Sequence, residues 1–179
     1  DEIKKRSDKG DETFSHFSLD ANILKDLEAT FLEYGRTGKA RTRYYAHTEE
    51  EADKLGVKVS TFSDWINIKE KSDLLFYEGL HGAVVNDELD LASLADLKVG
   101  VVPVVNLEWT QKIHRDKSTR GYSTEAVTDT ILRRMHDYVH CICPQFTETD
   151  INFQRVPVVD TSNPFVARWI PPPDESLVV

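Results

Sequence analysis

The sequence predicts an α/β fold, a layered sheet with helices packed on it. Two apolar runs of strand length, residues 73–78 and 98–105, stop at polar or glycine positions, as buried parallel strands do. Helical stripes lie before and after them. No linker-like break divides the 179 residues, so strands and helices alternate within one domain, residues 1–179, large enough for a sizeable core.

The elements follow in order. Ile23, Leu24, Leu27, Phe31 and Leu32 form the apolar stripe of a helix over 18–34, with Ser18 or Asp20 as its cap and Gly35 as its stop. Residues 40–47 favour a strand, 49–55 a short acidic helix, and 60–72 a loop with Trp65 half-buried. Leu74 to Tyr77 complete the strand 73–78. Residues 88–96 read as a helix and 98–105 as a strand made imperfect by Pro103. Asn106 caps a helix running through Asp116, and Ser123 or Thr124 caps another to about His140. Strands are predicted at 151–159 and near 176–179.

Composition excludes several classes. The net charge of −9 argues against nucleic acid or an anionic membrane as a partner. No apolar run approaches the roughly 20 residues that span a bilayer. Two cysteines, Cys141 and Cys143, suit reduced thiols in a cytoplasmic protein better than a disulfide framework. His136 and His140, followed by these cysteines, are nominally a zinc set, but buried free cysteine is the more common state and no zinc site is expected.

Positive charge is concentrated against this acidic background. Arg36, Lys39, Arg41 and Arg43 have no acid between Glu33 and Glu49. Lys112, Arg115, Lys117 and Arg120 form a second island around Asp116, and Arg133 with Arg134 a third. Such islands are either solvated surface or sites for a small anion held by forked guanidinium contacts.

Two segments carry chemistry. In Phe76–Ala83, FYEGLHGA, the predicted strand ends in Glu78 and breaks at Gly79. A carboxylate there is either a solvated strand end or a group met by a metal or cation, in the crevice where open α/β sheets bind ligands. In the second segment, Lys112 shares a helical face with Arg115 and Asp116. That face is either a surface ion pair or part of a lid whose cations meet the negative charge spread in phosphoryl transfer, with Gly121 as its exit. Tyr45 and His47, two apart in a predicted strand, point to one side.

The stretches LLFYEGLHGAVV, LEWTQKIHRD, TRGYSTEAVTD, and ILRRMH through QRVPVVDTSNPF together resemble the phosphoribulokinase and uridine kinase family of P-loop sugar and nucleoside kinases. The resemblance runs through nearly the whole chain and is strongest to the prokaryotic sugar-phosphate kinases. It implies a P-loop-kinase-like layered sheet and ATP-dependent phosphorylation of D-ribulose 5-phosphate to ribulose 1,5-bisphosphate, a Calvin-cycle step. ATP and Mg2+ are the implied cofactors, ribulose 5-phosphate the partner, and a homo-oligomer the assembly. The residues matching Lys112, Arg115, Asp116 and Arg120 belong to the family's active site. Those matching Glu78 and Asp116 bind magnesium or activate the attacking hydroxyl, and those matching Tyr45 and His47 lie near the sugar phosphate, with Lys112 and Arg120 also on the substrate side.

No G-x-x-x-x-G-K-[ST] occurs in the sequence. The resemblance places that loop and an aspartate base ahead of these segments. The chain is therefore expected to be the central part of a longer kinase domain, its sheet incomplete and its activity absent in isolation. Alternatives are a uridine kinase-like nucleoside kinase, which the basic 36–43 segment disfavours, and a non-catalytic α/β module.

Overall fold

The structure, a computed structural model, describes residues 5–6, 8–11, 13–68, 70–165 and 176–178. Its helices and strands are α1 (Leu24–Thr37), β1 (Arg41–Thr42), α2 (Glu49–Leu55), β2 (Ile66–Asn67), β3 (Val99–Val102), α3 (Val105–Arg120), α4 (Thr124–Asp137), β4 (Ile151–Pro157) and β5 (Ser176–Val178). The sheet that organises the second half has the order β3-β4-β5. β3 and β4 are parallel, with Val99 opposite Ile151 and Val102 opposite Gln154. β5 returns antiparallel on β4. Parallel pairing requires a long crossover, and here α3 and α4 supply it.

Local sequence explains most of these elements. α2 begins in a capping box in which Thr48 accepts from the Glu51 amide while the Glu51 side chain reaches back to the Thr48 amide. β3 stops at Val102 because Pro103 has no N–H to give the ladder. Ser123 caps α4 by accepting from the Ala126 amide. α3 ends at Gly121, whose φ of 70° lets its amide turn back to the Asp116 and Lys117 carbonyls, and the Tyr122 amide adds a second bond to Asp116. Gly121 is thus a helix stop.

Several boundaries depart from the sequence expectation. α1 starts after a separate 3-10 turn, Leu19–Ala21, without a side-chain cap, and runs past Gly35 to end at Gly38. The strand predicted over 40–47 shrinks to β1 plus an isolated bridge between Tyr45 and Phe62. The helix over 88–96 is a single 3-10 turn, Ala92–Leu94. α3 begins at Val105 rather than behind an Asn106 cap. Past α4 the chain tightens through a π turn, Tyr138–Ile142, and a 3-10 turn, Cys143–Thr147, so the cysteines lie half-buried on turns. His136 and His140 stack with ring centroids 4.3 Å apart.

The largest departure is 73–78. This segment is irregular, with Leu74 77% and Phe76 84% exposed. A strand needs a ladder partner, and none of the described strands pairs with it. Val101, 72% exposed, leaves apolar surface on β3 as well.

Two cores form among the described residues. Val84, Leu89 and Leu91 pack with Leu24, Leu27 and Phe31, fastening α1 to the segment after Glu78. Ile113, Val127 and Ile131 pack with Trp109 and Phe165, fastening α3 to α4. The second core fixes the helix that carries Lys112, Arg115 and Asp116.

Candidate active site

Ile113 faces α4 from the middle of α3 and is 7% exposed. The next turn then places Asp116 at the same packed interface, where it is 3% exposed. A carboxylate buried this deeply needs cationic partners. Lys112 Nζ lies 2.5 Å from its Oδ2 and Arg115 Nε lies 3.1 Å from its Oδ1. Both are near in sequence, one by the i,i+4 geometry of the helix. Burial pushes the Asp116 carboxyl up, but the hydrogen bonds and charges of Lys112 and Arg115 outweigh that and hold it below its ordinary value. Lys112 is mostly covered, whereas more than half of the Arg115 side chain is exposed. Arg115 therefore spends one nitrogen on Asp116 and keeps the rest of its guanidinium toward solvent.

Arg134 of α4 adds a further cation. It lines a small cavity of about 50 Å3 with Phe17, Glu108, Lys112 and Tyr138. Burial pushes its pKa down, Arg133 adds to that, and the Asp116 charge opposes it. Burial also pushes the Tyr138 phenol up, keeping it protonated as a donor. Glu108 gives no sequence signal beyond its spacing from Lys112, which matches that of Lys112 from Asp116.

Glu78 is set in a different environment. It is exposed, and among the described residues it makes no hydrogen bond or ion pair. It follows an irregular segment and not the carboxyl end of a strand, and no hydrogen bond or ion pair joins it to Asp116. The backbone just beyond Glu78 is tightly held. The Tyr77 ring lies over Gly79, where an added Cβ would stand 2.6 Å from the ring Cζ, and against Gly82 at 3.1 Å. Phe31 of α1 meets the Tyr77 ring edge-on at 5.4 Å. His81, buried, places Nε2 3.4 Å from the His16 carbonyl.

Tyr45 and His47 do share a side: their rings meet edge-on at 4.8 Å, with Phe62 against Tyr45 at 5.0 Å. Among the described residues, no hydrogen bond or ion pair links them to Lys112. The Arg120 backbone closes α3, and its side chain lies outside the described residues.

Several cations of the basic islands are paired in place. Arg43 pairs with Asp26 and stacks on Phe62 and Trp65 at 4.3 and 4.4 Å. Arg41 pairs with Glu33 at 3.3 Å and stacks on Trp65. The acids come from α1, which folds back on β1, so these two arginines help pin the small β1-β2 sheet. Arg133 pairs with Asp129 at 2.8 Å.

The family model for the Phosphoribulokinase / Uridine kinase family matches residues 1–162. The chain belongs to this family. Phosphoribulokinase 1 of Cereibacter sphaeroides is 68% identical over 178 residues, which are 99% of this chain and 61% of that protein. Phosphoribulokinase of Nitrobacter vulgaris is 65% identical over 177 residues, again 99% and 61%. A solved structure of phosphoribulokinase from Rhodobacter spheroides superposes with a TM-score of 0.83 at 66% identity, over 99% of this chain and 61% of that one. The P-loop-kinase-like α/β fold is thereby shown, and the chain spans 61% of the length of these relatives.

Proposed function

We propose that this chain is the central part of an ATP-dependent kinase that phosphorylates D-ribulose 5-phosphate to ribulose 1,5-bisphosphate. The observation that carries the reading is the buried Asp116 carboxylate bracketed by Lys112 and Arg115, in a family member whose close relatives are phosphoribulokinases. In the reaction, the substrate's 1-hydroxyl oxygen forms a bond to the γ-phosphorus of ATP. The bond from that phosphorus to the β,γ-bridging oxygen breaks, ADP leaves, and the hydroxyl proton passes to a carboxylate base. The resemblance assigns that base to an aspartate ahead of this segment.

The chain's own residues supply electrostatics. Arg115, tied to Asp116 by Nε alone, presents its remaining donors where charge spreads over the transferring group. Asp116 fixes the rotamers of both cations, so that little reorganisation is needed at the moment of transfer. Lys112 can exchange the Asp116 oxygen for a substrate phosphate. Tyr45, His47 and Arg120 are assigned to the sugar phosphate.

Magnesium fits one of its two proposed donors. Mg2+ takes one or two carboxylates plus phosphate oxygens and water, and Glu78 offers an exposed carboxylate with no protein partner among the described residues. Both Asp116 oxygens are engaged by cations. Glu78 would thus hold the ion, which neutralises phosphate charge when bound, while Asp116 orders the lid.

The test is ADP release by the protein of the complete reading frame, with ribulose 5-phosphate or uridine as acceptor. Release with ribulose 5-phosphate supports the reading. Release with uridine alone moves the chain to the nucleoside kinases, and none with either makes it a non-catalytic module. Residues 1–179 alone should release no ADP, because they contain no phosphate-cradling G-x-x-x-x-G-K-[ST] loop.

A further inference from the structure

Glu78 has no side-chain partner among the described residues, so its direction is set by the backbone it stands on. The turn after it, residues 79–83, is held on its inner side by one buried side chain that the proposed chemistry does not use. Gln145, on the Cys143–Thr147 turn, is 8% exposed. Its Oε1 accepts from the Ala83 amide at 3.1 Å, and its Nε2 donates to the Leu80 carbonyl at 2.9 Å. The same Nε2 donates to the Cys141 carbonyl at 2.8 Å and stands 3.5 Å from His81 Nδ1. One amide thus uses both of its ends to close the turn and to tie it to the chain leaving α4. A primary amide is suited to this, since it offers an acceptor and two donors in one plane.

The outer side of the same turn is covered by Tyr77, whose ring rests on Gly79 and Gly82. The glycines are required by that close approach. Glu78 stands between the ring-bearing residue and the first of these glycines, so a turn clamped on two sides leaves its backbone little freedom.

We propose that Gln145 is a positioning residue for Glu78: by bonding Leu80 and Ala83 it fixes the turn that aims the Glu78 carboxylate at the phosphate-bound cation. This rests on the reading of Glu78 given above. It also assigns the sequence after α4 a part in the reaction: the π and 3-10 turns bring a side chain of the crossover back beneath the acidic turn. Misplacing a reacting group by about 1 Å can cost on the order of a hundredfold in rate.

The experiment is a double-mutant cycle in the complete enzyme, with Q145M, E78Q and both together. Methionine keeps the length of the side chain and removes its hydrogen bonds. Q145M should lower kcat by about tenfold to a hundredfold with KM for both substrates within about twofold, and should speed hydrogen exchange at the Ala83 amide. In the E78Q background, Q145M should change kcat by less than about twofold, since its effect runs through Glu78. Unchanged kcat in Q145M with faster Ala83 exchange overturns the proposal, because the clamp then exists without aiming anything. An equal loss in the E78Q background also overturns it, because the effect is then general. If Q145M does not fold, G79A makes the same test from the outer side, where the added methyl meets Tyr77, with the same two outcomes. Full activity of E78Q on its own marks instead the failure of the Glu78 reading, and the positioning role falls with it.

Discussion

The end of α3 and the turn after Tyr77 each present one carboxylate, and they hold it in opposite ways. Asp116 is buried with both oxygens engaged by cations from its own helix. Glu78 is exposed and without a partner among the described residues, while the backbone beneath it is fixed by Gln145 and Tyr77. The first arrangement fixes the side chains and surrounds them with structure; the second fixes the main chain and leaves the side chain available. A buried, saturated carboxylate orders its neighbours, and an exposed one on a rigid support can take a cation. The two are therefore assigned different roles despite their identical chemistry.

The largest expected effect lies at Arg115. If, as proposed, the guanidinium meets charge that develops only in transfer, R115A in the complete enzyme should lower kcat by roughly 10²–10⁴-fold. Steady-state kinetics with ribulose 5-phosphate varied at saturating ATP decide it; a change confined to KM for ATP would move Arg115 to nucleotide binding. E78Q should cost at least ~10²-fold in turnover and leave the melting temperature unchanged, since an exposed, unpaired carboxylate contributes charge to the site and little to the fold. Near-normal turnover with intact magnesium dependence would remove Glu78 from the metal.

Asp116 should show the reverse balance in stability. D116N should destabilise the fold by about 1–3 kcal/mol through the loss of charge-assisted hydrogen bonds at a buried site. The pH dependence follows in sign. The folded-state pKa of Asp116 lies below its ordinary value, so its contribution is present above the unfolded pKa of about 3.9 and is lost as pH falls through the folded value. Urea midpoints measured down the acid range should fall more gently in D116N; parallel curves would show that the ion pairs contribute nothing to the fold.

The smallest effects belong to the supporting histidines. H47A should chiefly raise KM for the sugar phosphate, and a change in kcat alone would argue against a binding role. Burial pushes His81 below its ordinary pKa, and its hydrogen bond to His16 opposes this only in part. The unfolded chain therefore takes up the proton first, and stability should decline as pH falls below about 6.5. H81F should flatten that slope in chemical denaturation between about pH 7 and 5; an unaltered slope would assign it to other groups.

Patterns short in range were legible in the sequence. The α2 helix at 49–55 follows from a capping box and an acidic first turn, both of which are local. The Lys112–Asp116 pair follows from helical spacing, whereas β3, expected through residue 105, ends at Val102 before Pro103. Tertiary structure decided the rest. The run 74–77 has strand composition, but a strand exists only where another supplies its ladder, and none of the described strands does so. The 36–43 segment carries an excess of positive charge in one dimension, yet α1 folds Asp26 and Glu33 onto it. Gln145 gives no sequence signal at all, because its partners Leu80 and Ala83 lie more than sixty residues away. Spacing along a helix is dictated by its repeat and can be read from the chain alone, whereas the partner of a buried polar group depends on which distant segments pack together.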